Sequence, residues 1–237
     1  IGIVDDVTYL SLPESKEIID STSISCKFWG LGSDGTVGAN KQAIQIIGDN
    51  TNYHVQAYFS YDSKKSGGST VSHLRFSKNP IKSSYLVYSA DYIACHNKSF
   101  INHINVIQGI KENGTFVLNC DWKEEELESV LPDYLKKEIA DKNISFYIIN
   151  ATAIAGEIGL GNRINMIMQT VFFKLINILP IEEAVKYLKE SIEEAYGRKG
   201  SKIVEMNYLA VDRALEGLIR VSVPESWKDI NVKKLEF

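Results

Sequence analysis

Cysteine is scarce in this chain: three thiols, Cys26, Cys95 and Cys120, among 237 residues. They are widely separated and odd in number, which argues against a disulfide framework and predicts a reducing, cytoplasmic setting. No two form a C-x-x-C pair, so neither a structural zinc nor an iron–sulfur cluster finds its ligands within the chain. The four histidines, His54, His73, His96 and His103, lack H-x-x-x-H spacing; apart from His73 they read as scattered surface or hydrogen-bonded side chains. No uninterrupted apolar run reaches about 18 residues, which excludes a transmembrane helix. Neither sign of charge dominates: the net charge is −4 and the pI about 5.7, so nothing drives the chain toward nucleic acid. The opening Ile1-Gly-Ile-Val-Asp-Asp6 carries no Met and no signal-peptide pattern, and the expectation is a piece of a longer chain. No internal repeat, low-complexity tract or long linker is present.

What is there is an α/β rhythm with 44% hydrophobic and 24% charged residues, ordinary for a globular protein that buries a full core. Residues 1–12 predict an entry strand ending at Pro13. Strands are expected at Ile24–Trp29, Val55–Tyr61, Ser69–Phe76, Ser84–Ser89, Thr115–Asn119 and Ser145–Asn150. Helical spacing is expected at Ala39–Ile47, His96–Gln108, Glu124–Lys142 with a break at Pro132, Asn162–Leu179, Ile181–Tyr196 and Lys202–Ile219. Continuous rather than alternating apolar strands imply burial on both faces. The fold expected is a three-layer α/β/α sandwich, Rossmann-like, with a largely parallel sheet and a helical C-terminal third. Trp227 and Phe237 have no evident role in the tail from Pro224.

Two glycine-rich loops organise the chain, each after a strand-like run. Gly30-Leu-Gly32-Ser-Asp-Gly35 opens a helix, and glycines there let backbone N–H groups and a helix N-terminus approach an anion. Its G-x-G-x-x-G spacing also fits a nicotinamide-dinucleotide fingerprint, for which Asp62 is a rough acidic partner. The second loop, Lys64-Lys65-Ser66-Gly67-Gly68, offers two point charges beside an amide nest, suited to a phosphate or carboxylate. Equally, it reads as a solvated hairpin turn. Alternation puts His73 and Arg75 on one strand face, as a functional pair or as a buried polar patch. A third glycine turn, Gly156 to Gly161, enters the apolar helix Met166–Leu179 and is explained by packing as well as by ligand contact. No G-x-S-x-G elbow, H-E-x-x-H or Walker A pattern occurs, and Gly48-Asp-Asn50 lacks the downstream partner of a thiamine diphosphate motif.

The segments Gly30–Lys41, Tyr61–Gly68, Thr70–Phe76 and Gly159–Asn165 together resemble the gamma domain of pyruvate:ferredoxin (flavodoxin) oxidoreductase, and the similarity covers nearly the whole chain. The resemblance implies a gamma domain over residues 1–223 and an exit linker over 224–237 toward an iron–sulfur domain. It implies a whole enzyme that decarboxylates pyruvate oxidatively on thiamine diphosphate. Electrons pass through [4Fe-4S] clusters to ferredoxin or flavodoxin, acetyl-CoA is formed, and the enzyme is a homodimer. It assigns no catalytic residue and no metal to this chain, which covers the active site and takes part in coenzyme A binding. Coenzyme A phosphate contacts are expected at Lys64, Lys65 and Ser66, with Gly67 and Gly68 giving close approach and Gly32 and Gly35 as a second candidate. A scaffold holding the neighbouring domains together is the alternative role, and the resemblance makes a nicotinamide site the weakest of the three.

Overall fold

The computed structural model describes residues 22–32, 34–62, 68–82 and 86–232. The expected entry strand at 1–12 lies outside them, as do Lys64, Lys65, Ser66, Gly67 and Phe237. Seven strands form one sheet: β1 (Ile24–Leu31), β2 (His54–Tyr61), β3 (Ser69–Ser77), β4 (Ala90–Cys95), β5 (Ile110–Asn119), β6 (Ser145–Ile149) and β7 (Ile219–Arg220), in the order β2-β3-β1-β4-β5-β6-β7. The centre, β1-β4-β5-β6, is parallel. Antiparallel ladders flank it, β2/β3/β1 on one side and β6/β7 on the other.

Helices cover both faces, as continuous apolar strands require. On one face lie α1 (Thr36–Asn50), α4 (Ala151–Ile158), α5 (Asn165–Ile176), α6 (Ile181–Tyr196) and α7 (Ser201–Arg213). Their core holds Phe28, Phe76, Tyr92 and Phe172. On the other face, residues 98–107, α2 (Leu127–Val130) and α3 (Asp133–Asp141) enclose Ile93, Phe116, Leu118 and Phe146. The apolar circumference of α5, legible in the sequence, matches its position: eight successive residues, Met166 to Phe173, are buried.

Three expectations differ from the structure. Of the strand expected at Ser84–Ser89, Ser84 and Tyr85 lie outside the described residues; residues 86–89 are not a strand, and the strand here is β4, Ala90–Cys95. Tyr88 is exposed, and its carbonyl packs against Gly109 where no Cβ would fit. The helix expected over His96–Gln108 is a short 3-10 turn, Lys98–Asn102, followed by turns. Its carbonyls are drawn to other elements: Tyr134 donates to Ile101 and Ile104, Trp29 Nε1 to Val106 and Lys27 Nζ to Gln108. Those tertiary bonds outweigh the local helical pattern. The last helix stops at Arg213, and Ile219–Arg220 joins the sheet edge as β7.

Trp227 acquires a role. It is buried at 2% exposure in a 3-10 turn, Glu225–Asp229, docked beside α3, and its indole N–H donates to Glu128. The chain past Pro224 therefore continues to pack on the core at least through this turn, where an exit linker was expected.

Candidate functional site

The carboxyl ends of β1, β4, β5 and β6 meet at one edge of the sheet. The connection after β1 runs to the α1 face and that after β4 to the opposite face, so β1/β4 is the point where the winding reverses. Crevices of α/β sheets open at such a point. Two cavities lie here and share Leu31 and Asp34.

The smaller, about 350 Å³, is built from the two glycine loops. Gly32 N–H donates to Gly68 O at 2.8 Å, tying the loops together. The Asp34 carboxylate accepts from Leu31 N at 2.8 Å and Thr36 N at 2.7 Å, which folds the turn and starts α1. Gly35 sits at φ +88°, and a Cβ there would lie 2.0 Å from Asn165 Nδ2. Val37, Tyr61, Asp62, Ser69 and Thr70 complete the lining. The first turn of α1 itself has no acidic side chain, but the Asp34 carboxylate just before it already takes the Thr36 amide, and Asp34 and Asp62 are the charged groups of the described lining. Of the residues expected to bind ligand, Gly32, Gly35 and Gly68 are thus brought together. Gly35→Ala is expected to destabilise the chain by about 1–3 kcal/mol, from left-handed strain plus the clash with Asn165; urea unfolding of the purified variant measures it.

The larger cavity, about 610 Å³, is lined by residues that follow the four parallel strands: Leu31 and Asp34, then His96, Asn97 and Lys98, then Asn119, Cys120 and Asp121, then Asn150, Thr152 and Ala153. Asn119 fixes its floor, donating to His96 O at 2.9 Å and accepting from Ala151 N at 3.0 Å. Lys98 pairs with Asp121 and lies 4.6 Å from the Trp122 ring centroid. That contact holds the Asp121 carboxyl below the usual carboxylate range. Burial pushes the Cys120 thiol up to about 11, so it stays protonated. His96 bonds through Nδ1 to Thr36 Oγ1 at 2.8 Å. Burial lowers its pKa to about 4, against the opposing pull of Asp34, and the ring is neutral near pH 7.

The sequence did not single out His96, Asn97, Lys98, Asn119 or Asn150 as ligand residues. Each stands one to three positions past, or at the end of, an apolar strand, which is the signal that would have found them once β4 was placed. The third glycine turn ends α4 with Gly159 at φ +92° and brings Asn162 and Ile164 to the same cavity.

His73 and Arg75 do share a face, as a buried polar patch away from these cavities. His73 Nδ1 accepts from Val87 N at 3.1 Å, and Arg75 donates to Gln56 Oε1 and Leu86 O, each at 2.7 Å. Burial, then the Lys27 and Arg75 charges, lower the His73 pKa to about 4. Among the described residues no group of three His, Cys, Asp or Glu side chains is placed to hold a metal ion, and no helix is long and apolar enough to cross a membrane.

Residues 25–217 match the family model described as pyruvate ferredoxin/flavodoxin oxidoreductase. The chain is 57% identical over 236 residues to the pyruvate-flavodoxin oxidoreductase of Enterobacter agglomerans, covering 98% of this chain and 20% of that protein. It therefore spans about a fifth of the length of that relative. Among solved structures it resembles pyruvate oxidoreductase subunit PORC from Thermotoga maritima, with TM-score 0.66, 16% identity, and 84% and 98% of the two chains covered. It also resembles the 2-oxoglutarate:ferredoxin oxidoreductase of Magnetococcus marinus with 2-oxoglutarate, coenzyme A and succinyl-CoA bound. There the TM-score is 0.62, the identity 18%, and the coverage 86% of this chain and 34% of that one. At these identities the likeness is one of fold.

Proposed function

Because the chain belongs to the pyruvate ferredoxin/flavodoxin oxidoreductase family, we propose that it works as the gamma domain of a larger cytoplasmic enzyme. That enzyme decarboxylates pyruvate oxidatively and forms acetyl-CoA, passing electrons to ferredoxin or flavodoxin. Thiamine diphosphate and the iron–sulfur clusters supply the carbanion and electron chemistry from other parts of the enzyme, which is a homodimer. The role of this chain is to hold coenzyme A by its phosphates at the cleft between the glycine loops and to cover the active site.

One observation carries this: Gly32 and Gly68 are hydrogen-bonded at the N-terminus of α1. Close glycine backbones and the start of a helix converge there, which suits anionic oxygens once Lys64 and Lys65 offset the charges of Asp34 and Asp62. The segment carrying Lys64, Lys65 and Ser66 departs from Tyr61-Asp62 and returns at Gly68, both on the cleft wall, so its charges are close by in the chain. The three thiols are raised by burial, so none of them is a ready thiolate nucleophile. The domain's contribution is binding and orientation. The Magnetococcus relative of this fold holds coenzyme A, which is consistent with the assignment.

The test is Lys64→Ala combined with Lys65→Ala in the full-length oxidoreductase. Loss of two phosphate contacts at about 1.5 kcal/mol each is expected to raise the KM for coenzyme A by roughly a hundredfold with kcat little changed. An unchanged KM together with dissociated subunits on gel filtration would assign the chain the scaffold role instead.

A further inference from the structure

On the face of the sheet opposite α1, the antiparallel wing β2/β3/β1 carries a polar row that neither cavity uses. Strand register sets Tyr58, His73 and Lys27 side by side, one from each strand. His73 and Lys27 are each 8% exposed. Tyr58, at 51%, lies on β2, the last strand of the sheet, with its ring centroid 6.3 Å from that of His73. Tyr88, at 68%, directly follows Val87, whose amide is bonded to His73. Two large exposed rings therefore border two buried basic side chains, a combination that marks a covered surface rather than a solvated one.

The row offers donors and lacks acceptors. A backbone N–H can only donate, so His73 Nδ1 accepts from Val87 and Nε2 carries the ring proton. That Nε2–H has no partner among the described residues. Lys27 Nζ donates to Gln108 O at 2.9 Å and has no other partner among them, no carboxylate included. Asp91, the acid beside this wing, is already taken by Ser25 N and by Lys111. A buried ammonium is ordinarily matched by a carboxylate, and here the match must come from elsewhere.

The sequence supplies it. Residues 1–21 hold Asp5, Asp6, Glu14, Glu17 and Asp20 against Lys16 alone, a net −4 equal to that of the whole chain. The described part begins beside the wing: Thr22 Oγ1 accepts from Asn79 Nδ2, just past the end of β3. Lys27 stands five residues up β1 from Thr22, roughly 16 Å along a strand, whereas 21 residues can span about 70 Å. We propose that residues 1–21 dock across this face. Their carboxylates accept from His73 Nε2–H and Lys27 Nζ, and apolar residues among them cover Tyr58 and Tyr88. The docking fastens the chain's entry to the antiparallel wing, on a surface separate from the cleft of the proposed function and independent of that reading.

The experiment compares the 237-residue chain with a variant carrying Asp5→Asn, Asp6→Asn, Glu14→Gln and Glu17→Gln. Histidine 15N NMR should show His73 in the Nε2–H form, with its Nε2 resonance moved in the variant and that of His96 unmoved. Limited proteolysis within residues 1–21 should become about tenfold faster, as charge-assisted hydrogen bonds that hold the closed state are lost. Lys27→Met, which keeps the length and removes the charge, should speed the same cleavage, with circular dichroism verifying its fold. An unmoved His73 resonance, or cleavage at the wild-type rate in the four-residue variant, would overturn the proposal. Carbodiimide coupling in a mixture of 14N- and 15N-labelled chains settles the occupant. Lys27 joined to an acid of residues 5–20 within one label supports it. Coupling between labels would assign the face to a second copy and sink the proposal, as would coupling of Lys27 to an acid beyond residue 21.

Discussion

Phe172→Ala is expected to lower the unfolding free energy by about 3–5 kcal/mol, the range for removing a buried phenyl ring. Phe172 is 1% exposed, and its ring centroid lies 5.3 Å from Phe28, 5.4 Å from Tyr92, 5.4 Å from Phe173 and 6.2 Å from Phe76. Those neighbours come from β1, β4, α5 and β3, so one side chain joins the helix layer to three adjacent strands. None of the four can move into the vacated space without leaving its own strand or helix position, and the cavity persists. Urea unfolding should show a lower midpoint with an unchanged slope. Phe172→Leu, which refills most of the volume, should cost about 1–1.5 kcal/mol. A loss below about 1 kcal/mol for the alanine variant would mean that α5 does not pack as described.

Acid should unfold the chain by a route that two histidines dominate. His73 and His96 titrate at about 4 in the folded protein against 6.5 when exposed. Between those values the unfolded chain binds more protons than the folded one, so stability rises with pH. The contribution is complete above about pH 6.5 and is lost as pH falls toward 4, by up to about 1.4 kcal/mol per pH unit for each ring. The causes differ. Burial comes first for both, but His73 also faces Lys27 and Arg75, whereas Asp34 beside His96 opposes the shift. His73→Asn keeps an acceptor for Val87 N and removes the titration. Measured by urea unfolding from pH 4.5 to 7.5, that variant should lose about one proton from the slope; an identical slope would show that His73 protonates freely in the folded state.

The fold was legible where one physical signal acted alone. The apolar strands β1, β2, β3 and β6 and the helices α5 and α6 follow from periodicity, and the α/β class with helices on both faces follows from them. It failed where tertiary bonds competed with local pattern. Residues 96–108 carry a helical spacing, yet Trp29, Lys27 and Tyr134 claim the carbonyls that a helix would use. At β4 the small residues Ala90 and Ala94 and the charged Asp91 hid a central strand, though Asp91 is there to accept from Ser25 N and Lys111. The glycine cleft was readable because glycine is needed at specific points, Gly35 above all. The larger cavity was not, since its lining comes from four strand ends whose proximity only the sheet order reveals.

Strand β1 lies in the middle of the sheet, yet both of its partners come much later in the chain: Ile24 pairs with Phe76, and Cys26 with Tyr92. During synthesis, at about 5–20 residues per second, this apolar strand spends several seconds off the ribosome with neither neighbour yet made. Its two long-range closures also make for slow folding. The nascent chain therefore passes through an interval in which a strand destined for the centre has both edges open, and chaperone engagement or aggregation would be decided then.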